Sequence, residues 1–490
     1  ASILAAVLAA AGGKVYFPKG TYLISAEIPL NVIGLQFVGE SRFTTIIKQN
    51  TLNAKILNIS QMFCGVSGLS FIYNGTPTSG ATAINVTGSY ATLEDFVIRS
   101  CHIGVEFNGC VAGKLSNYEI LDYESIGLHL QNVNDVFSHS FIFNAGNTTR
   151  GALGGIRLVD KVEAFVATDG DVLMGQYSLT TDASVNGLGT RPAYNNFTNV
   201  FFDSSTRGSV IADLVETEFV GCWFSGGRSG VGSSGVNIST SDSLRFTNTR
   251  FFNCGAAGCL VSASTKNVFF TACDFESNSV TAGAGVEHGM SIAAGMQGLV
   301  VNSCKFGNGL YTGQQGYGLF IDTGADKFSI SNNVFDGNLT GSISDNTVST
   351  AEKKLSGNIG HTDAVISTYI PVVTGSSTEG TASYSLQEGY SENITDDLVY
   401  FSASCTYTGH TGTGGTRVSL PFSAANFGAR VAISVFVENE AFGADKVVQG
   451  FIGSSGQTAV LRAVDPLGGG NVEFFDAAGT IHISGTYRKA

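Results

Sequence analysis

A short phrase recurs along the chain: glycine, an apolar residue, a variable residue, an apolar residue, another variable residue. It is seen at Gly104-Val-Glu-Phe-Asn, Gly127-Leu-His-Leu-Gln, Gly155-Ile-Arg-Leu-Val, more loosely at Gly208-Ser-Val-Ile-Ala, and again from Gly235, Gly258, Gly289 and Gly318. Successive starts lie 23, 28, 53, 27, 23, 31 and 29 residues apart. The 53 is about twice the others, so one further repeat is expected within 159–207 with its phrase obscured. A second pattern precedes each phrase: Cys222-Trp-Phe224, Thr249-Arg-Phe251, Cys273-Asp-Phe275, Cys304-Lys-Phe306 and Asn333-Val-Phe335. Alternation of period two points the outer residues of each triplet inward and the middle one outward. A repeat of this length has room for three short strands and their turns, and no 3.6-residue period competes with it. The pattern predicts a parallel β-helix of about 12–13 coils over 13–346, in which each coil covers the apolar edge of the next. The apolar stretch 1–12 is expected as a helix capping the open end.

The texture changes after Asn346. Residues 347–363 are polar and predict a linker. Residues 364–490 alternate cleanly, as in 429–437 and 480–484, with Gly-rich turns at 411–415 and 468–470. This predicts an antiparallel β-sandwich.

Composition agrees with this picture. The chain has 490 residues with 63 Gly and 7 Pro, and only 13% are charged, about half the usual share. Turns and strands need Gly, Ser, Thr and Asn, whereas helices need the Glu and Lys that are scarce here. With 43% hydrophobic residues, disorder is excluded. The net charge of −13, without a basic tract, argues against nucleic acid and anionic membrane as partners. No run reaches the ~18 apolar residues of a membrane span, so no membrane insertion is expected. The nine cysteines are scattered without CxxC spacing, and Cys222, Cys273 and Cys304 fall on inward positions, which predicts buried thiols. No metal or cofactor motif emerges, and none is expected.

In a solenoid, outward residues at equivalent positions on adjacent coils are neighbours about 5 Å apart. One such column holds Trp223, Arg250, Asp274 and Lys305. An aromatic ring, two cations and a carboxylate in line suit sugar subsites; a solvated ion ladder is the plainer alternative. Asp274 and Glu276 flank inward Phe275, with Cβ atoms roughly 7 Å apart along one strand. Glycosidic cleavage with inversion uses two carboxyl groups about 6.5–9.5 Å apart. These two are therefore the first candidates for acid and base. A second column, Glu106, His129 and Arg157, holds a base and a cation that suit proton abstraction and enolate stabilisation in a polysaccharide lyase. Asp203, Asp213 and Glu216 form a third acidic set, expected to face the same groove as Trp223. Turns near 178–190 and 280–288 break the period and are candidate groove walls, with His288 incidental.

One segment carries a family resemblance. Gly12-Gly-Lys-Val-Tyr-Phe-Pro-Lys-Gly-Thr-Tyr-Leu-Ile-Ser25, following an Ala-rich stretch, resembles the first coil of pectate-lyase-like β-helices, and of bacteriophage tailspikes in particular. The resemblance extends over the helix, the coils and the appended β-domain. It implies a right-handed helix, a homotrimer, and a virion-tail location with attachment through an N-terminal domain that precedes this sequence. It also implies binding and cleavage of a bacterial surface polysaccharide, capsule or lipopolysaccharide O-antigen. It supplies no catalytic motif. The carboxylate pair favours an endo-glycosidase; the alternatives are a lyase acting by β-elimination and a non-catalytic receptor-binding fibre. Clustered Asp and Arg/Lys sets of a calcium-dependent pectate lyase are not seen.

Overall fold

The computed structural model describes residues 3–147, 149–182, 191–227, 233–307, 309, 315–348, 351–361, 366–393, 398–425, 430–438, 447–453, 456–464 and 478–489. Two compact units result, Ala1–His361 and Thr362–Ala490.

The first unit is a parallel solenoid. Its Gly-phrase strands form one 13-stranded parallel sheet running from Ile28–Leu30 to Gly341–Asp345. The obscured repeat is Leu179–Asp182, which pairs with the strand of Arg157 on one side and that of Val210 on the other. The remaining strands form a 21-stranded sheet with two faces. In the middle coils single strands such as Lys114–Leu121 and Asn196–Ser205 span both faces; in later coils each splits in two, as in Asp242–Thr247 and Arg250–Phe252. The bend between the faces is a column of left-handed residues: Gly68, Asp95, Asn117, Ser140, Asp169, Asn199, Gly221, Asn248, Ala272, Ser303, Asn332 and Gly357, with φ from 50° to 68°. Asx and Gly predominate because they adopt this conformation at least cost. Their amides also bond along the column, Asn117 Nδ2 to Asp95 Oδ1 at 2.9 Å and Asn199 Nδ2 to Asp169 Oδ1 at 2.8 Å.

Inside, the anchors stack as expected. Phe224, Phe251, Phe275, Phe306 and Phe335 form a continuous ring stack with centroids 4.6–5.3 Å apart. Beside it, Cys222, Thr249, Cys273, Cys304 and Asn333 are buried. They close the backbone hydrogen bonds that the corner leaves open, with Cys304 N donating to Asn333 Oδ1 at 2.8 Å. All nine cysteines are buried free thiols. The helix Ile3–Ala10 sets Val7 into the core.

The solenoid extends past residue 346. Lys353–Ser356 pairs in parallel with Phe328–Ser331, and Ile359 bridges Val334. Most of the stretch read as a linker is thus the last coil, because Leu355 and Asn358 continue the inward ladders despite polar neighbours.

The second unit is antiparallel. Among the described residues, nine strands run in the order Ile366–Tyr369, Ser383–Asn393, Leu398–Thr408, Gly479–Arg488, Val431–Glu438, Val447–Ile452, Thr458–Val464, Thr416–Ser419, Val373–Gly375. Val431–Glu438 is shared: its first three residues pair with Val447–Ile452, its remainder with Gly479–Arg488. Phe401, Leu461, Ile483 and Tyr487 form its core. The turn expected at 468–470 lies outside the described residues.

Candidate functional site

The register reproduces the first column. Trp223 lies opposite Arg250, Arg250 opposite Asp274, and Asp274 opposite Lys305. The column continues upward through Phe201, Asp171, Ile142 and Glu119. Two residues further along each strand runs a companion column on the same face: Asp203, Ser225, then Phe252, Glu276 and Gly307.

Asp274 and Glu276 are therefore side by side, but in different environments. The Asp274 side chain is 40% exposed and that of Glu276 only 11%. This corrects the expectation that both stand open. Gly309 passes over Glu276, donating its N–H to Ser277 Oγ at 2.9 Å, and a Cβ there would lie 2.4 Å from Glu276 Oε2. Two cations bracket the pair. Arg250 Nη2 is 3.4 Å from Glu276 Oε2 and its Nε 4.0 Å from Asp274 Oδ2; Lys305 Nζ is 3.9 Å from Glu276 Oε1. Burial and the neighbouring Glu276 push the Asp274 carboxyl above the usual range, against the opposing pull of Arg250 and Lys305.

Trp223 is not an open platform. Phe201 stacks on it at 4.4 Å, Phe252 meets it edge-on at 5.4 Å, and the Arg250 guanidinium sits 5.4 Å from its ring. The parallel register that aligns the column also fills the spaces between its rings. What faces outward is an aromatic strip of ring edges above the charged cluster.

Glu106, His129 and Arg157 stack on the other, 13-stranded sheet. His129 Nδ1 is 3.2 Å from Glu106 Oε1. That bond, with help from Lys55, holds the Glu106 carboxyl below its ordinary value despite burial. Arg157 Nη2 is 3.9 Å from Asp182, its buried Nε meets no hydrogen-bond partner, and it lines a cavity of about 280 Å³ with Tyr177 and Thr180.

The third set does not assemble. Asp203 is on the Trp223 face, but Asp213 and Glu216 precede the left-handed corner at Gly221 and belong to a different face. Asp213 pairs with Arg191 at 3.4 Å. His288 stacks on Phe320 at 4.8 Å and accepts from Tyr317 N, a packing role. Residues 183–190 of the first candidate wall lie outside the described residues.

Asp171 was not anticipated. It lines a cavity of about 260 Å³ with Arg42, Glu119 and Asp169, and burial together with Asp203 raises its carboxyl. Its strand, Val166–Leu173, bends without a Cys-x-Phe triplet, so no sequence signal marked it. Arg42 arrives from a distant coil, bonding Asn117 O at 2.9 Å and Glu119 at 3.4 Å. Among the described residues no group of three or more His, Cys, Asp or Glu is arranged to hold a metal ion.

Comparison with known proteins agrees with this architecture. A model of a right-handed β-helix region matches residues 166–358, and one described as rhamnogalacturonase A/epimerase, pectate lyase-like, matches residues 3–73. The first unit is thus a right-handed parallel β-helix, and its first coils are similar to the pectate lyase-like model. Among solved structures, tailspike protein 3 of bacteriophage CBA120 superposes with a TM-score of 0.50 at 15% identity, over 72% of this chain and 56% of that one. The chain thus spans little more than half of the tailspike it matches. A mannuronic acid-specific polysaccharide family 6 lyase from human gut microbiota gives 0.48 at 13% identity, covering 66% of this chain and 81% of that one. The A-module of the Azotobacter vinelandii mannuronan C-5 epimerase AlgE4 gives 0.44 at 15%, covering 70% and 93%. No curated protein matches the sequence.

Proposed function

We propose that this chain is the glycan-cleaving part of a phage tailspike depolymerase, an endo-glycosidase acting on bacterial capsule or O-antigen. The observation that carries the reading is the juxtaposition of two carboxyl groups, Asp274 and Glu276, with two cations and an aromatic strip on one outward face. The likeness in fold to a tailspike supports it. Asp274, the more exposed of the two and with its carboxyl pushed above the usual range by burial and its neighbour, gives its proton to the glycosidic oxygen, while Glu276 takes one from the attacking water. Arg250 and Lys305 hold Glu276 in place and reach substrate hydroxyls; Trp223 offers its edge to the sugar. Assembly as a homotrimer on the virion tail belongs to the same reading and is checked by sedimentation.

The test is incubation with purified host polysaccharide followed by mass analysis of the fragments. Hydrolysis adds water to each product. Asp274→Asn and Glu276→Gln should lose turnover while remaining folded; full turnover in both would refute the assignment. If Asp171→Asn is the variant that loses it, the cleaving pair is Asp171 and Asp203. A second reading, β-elimination at Glu106, His129 and Arg157, is favoured by the His129–Glu106 bond beside the 280 Å³ cavity. It predicts fragments with unsaturated ends, abolished by His129→Ala. Polysaccharide bound but never shortened would favour the receptor-binding fibre.

A further inference from the structure

A second corner column runs up the solenoid, between the Gly-phrase sheet and the next face. Several of its occupants, such as Ala112, Asp135, Ala164, Ser243 and Asn267, are small or Asx, but Phe63, Tyr90 and Glu216 share it, all with φ between 44° and 61°. Small and Asx side chains are expected there, since a left-handed backbone disfavours bulky ones. Three exposed aromatics stand against that expectation: Phe63 and Tyr90 stack on each other at 5.0 Å, whereas Tyr194 makes no ring contact among the described residues. It has φ 58° and is 61% exposed, so its ring gains little from burial in exchange for the strained backbone. Strain retained by an exposed aromatic is the pattern of a functional position.

The surroundings of Tyr194 have the chemistry of a ligand site. The ring lines a cavity of about 470 Å³ with Asn195, Glu216, Glu218, Ser243 and Arg245, within the range of about 300–1,000 Å³ for small-molecule sites. Arg245 Nη1 pairs with Glu218 Oε1 at 3.1 Å across one side. Asn195 is only 2% exposed, its Oδ1 accepts from Phe165 N at 2.9 Å, and its Nδ2 has no hydrogen-bond partner. A ring with a free face, carboxylates that accept, and a guanidinium that donates match the alternating CH faces and hydroxyls of a sugar. The charge selects among sugars: two carboxylates against one arginine, already paired, repel an anionic residue.

We propose that the Tyr194–Arg245 cavity is an accessory subsite for a neutral oligosaccharide, separate from the Asp274 face. The Gly221 corner stands between them, so the subsite binds glycan without taking part in cleavage. The inference rests on the reading of the chain as a polysaccharide binder, not on which carboxylates cut.

The test uses the full chain on an array of neutral and of uronic-acid-containing bacterial oligosaccharides, then calorimetry with the neutral oligosaccharide that binds most strongly. Tyr194→Gly should weaken that binding at least tenfold while the melting temperature holds or rises, because glycine relaxes the corner. Tyr194→Asn should do the same, and Arg245→Gln should weaken binding comparably. Wild-type affinity in Tyr194→Gly, a lowered melting temperature, or a preference for acidic glycans that Arg245→Gln removes would each overturn the subsite. Binding lost in Asp274 and Trp223 variants alone would overturn the subsite but keep the parent reading. No binding of any glycan by the wild-type chain would overturn both.

Discussion

Removing Arg250 tests the charged cluster most directly, because one side chain holds four neighbours. Its guanidinium meets Glu276 at 3.4 Å and Asp274 at 4.0 Å, and lies 5.4 Å and 4.8 Å from the Trp223 and Phe252 rings. Arg250→Met keeps most of the aliphatic stem and deletes the charge. Glu276, nearly buried, is left with Lys305 at 3.9 Å. Stranding one partner of a fully buried pair costs about 3–5 kcal/mol. Arg250 is 33% exposed, so water recovers part of this and about 2 kcal/mol is expected. Two partly exposed cation–π contacts add about 0.5 kcal/mol each, bringing the loss to about 3 kcal/mol. At roughly 2.1 cal/mol/K per residue, the unit Ala1–His361 melts with an entropy of roughly 0.8 kcal/mol/K, so the melting temperature should fall by about 4 °C. Scanning calorimetry at one fixed scan rate measures it. The decisive comparison is a double-mutant cycle: in a Glu276→Gln background no buried charge remains to be stranded, and Arg250→Met should cost less than half as much. An equal loss in both backgrounds would refute the reasoning. A kinetic sign accompanies it. Arg250 opposes the rise of the Asp274 carboxyl, so without it that carboxyl rises further, and the pH at which a protonated acid is lost moves up.

Phe275→Ala empties a rung between Phe251 at 4.7 Å and Phe306 at 4.6 Å. It should cost about 3–5 kcal/mol, read as a fall of about 4–7 °C by the same scaling. Gly309→Ala places a methyl 2.4 Å from Glu276 Oε2 and should cut turnover by about tenfold, about 1.4 kcal/mol in the barrier, with a smaller melting shift than Phe275→Ala; unchanged turnover would separate Glu276 from catalysis. Glu106 has its folded carboxyl held low, so its contribution is present above the unfolded carboxylate range and disappears as pH falls through the folded value. The melting difference between wild type and Glu106→Gln should therefore be largest near neutrality and vanish in strong acid; a constant difference would argue against the His129 bond as its source.

The repeat was legible because inward positions obey one rule. Cys, Thr and Asn at one rung position and Phe two residues later gave the register of Trp223, Arg250, Asp274 and Lys305 without error. What escaped was anything set by a contact between coils. Glu276 reads as an outward residue by alternation, yet the backbone of Gly309, one coil on, roofs it. Trp223 reads as a sugar platform, yet its outward neighbours Phe201 and Phe252 fill the gaps around it. Asp213 and Glu216 look adjacent to Trp223 in sequence, but both sit at left-handed positions themselves, and a further one, Gly221, turns the chain onto another face before Trp223. The last coil was missed because its outward residues are polar, although Asn358 continues the buried ladder at 3.0 Å from Asn333.

The left-handed corner column has a further consequence, for how such a surface changes over time. Each bend is made by a residue of its own rung, with a φ of 50–68° that Gly, Asn, Asp, Ser or Ala can supply. Register is pinned twice per turn, at the bend and by the ring beneath it, so outward positions behave as a grid of addresses uncoupled from the interior. Substitution at one address leaves the alignment of all others intact, and a new specificity can be written one square at a time. Length is the forbidden variable. One residue added between bend and ring would turn every later side chain of that rung to the wrong side, whereas residues added in the turns between faces leave the grid untouched.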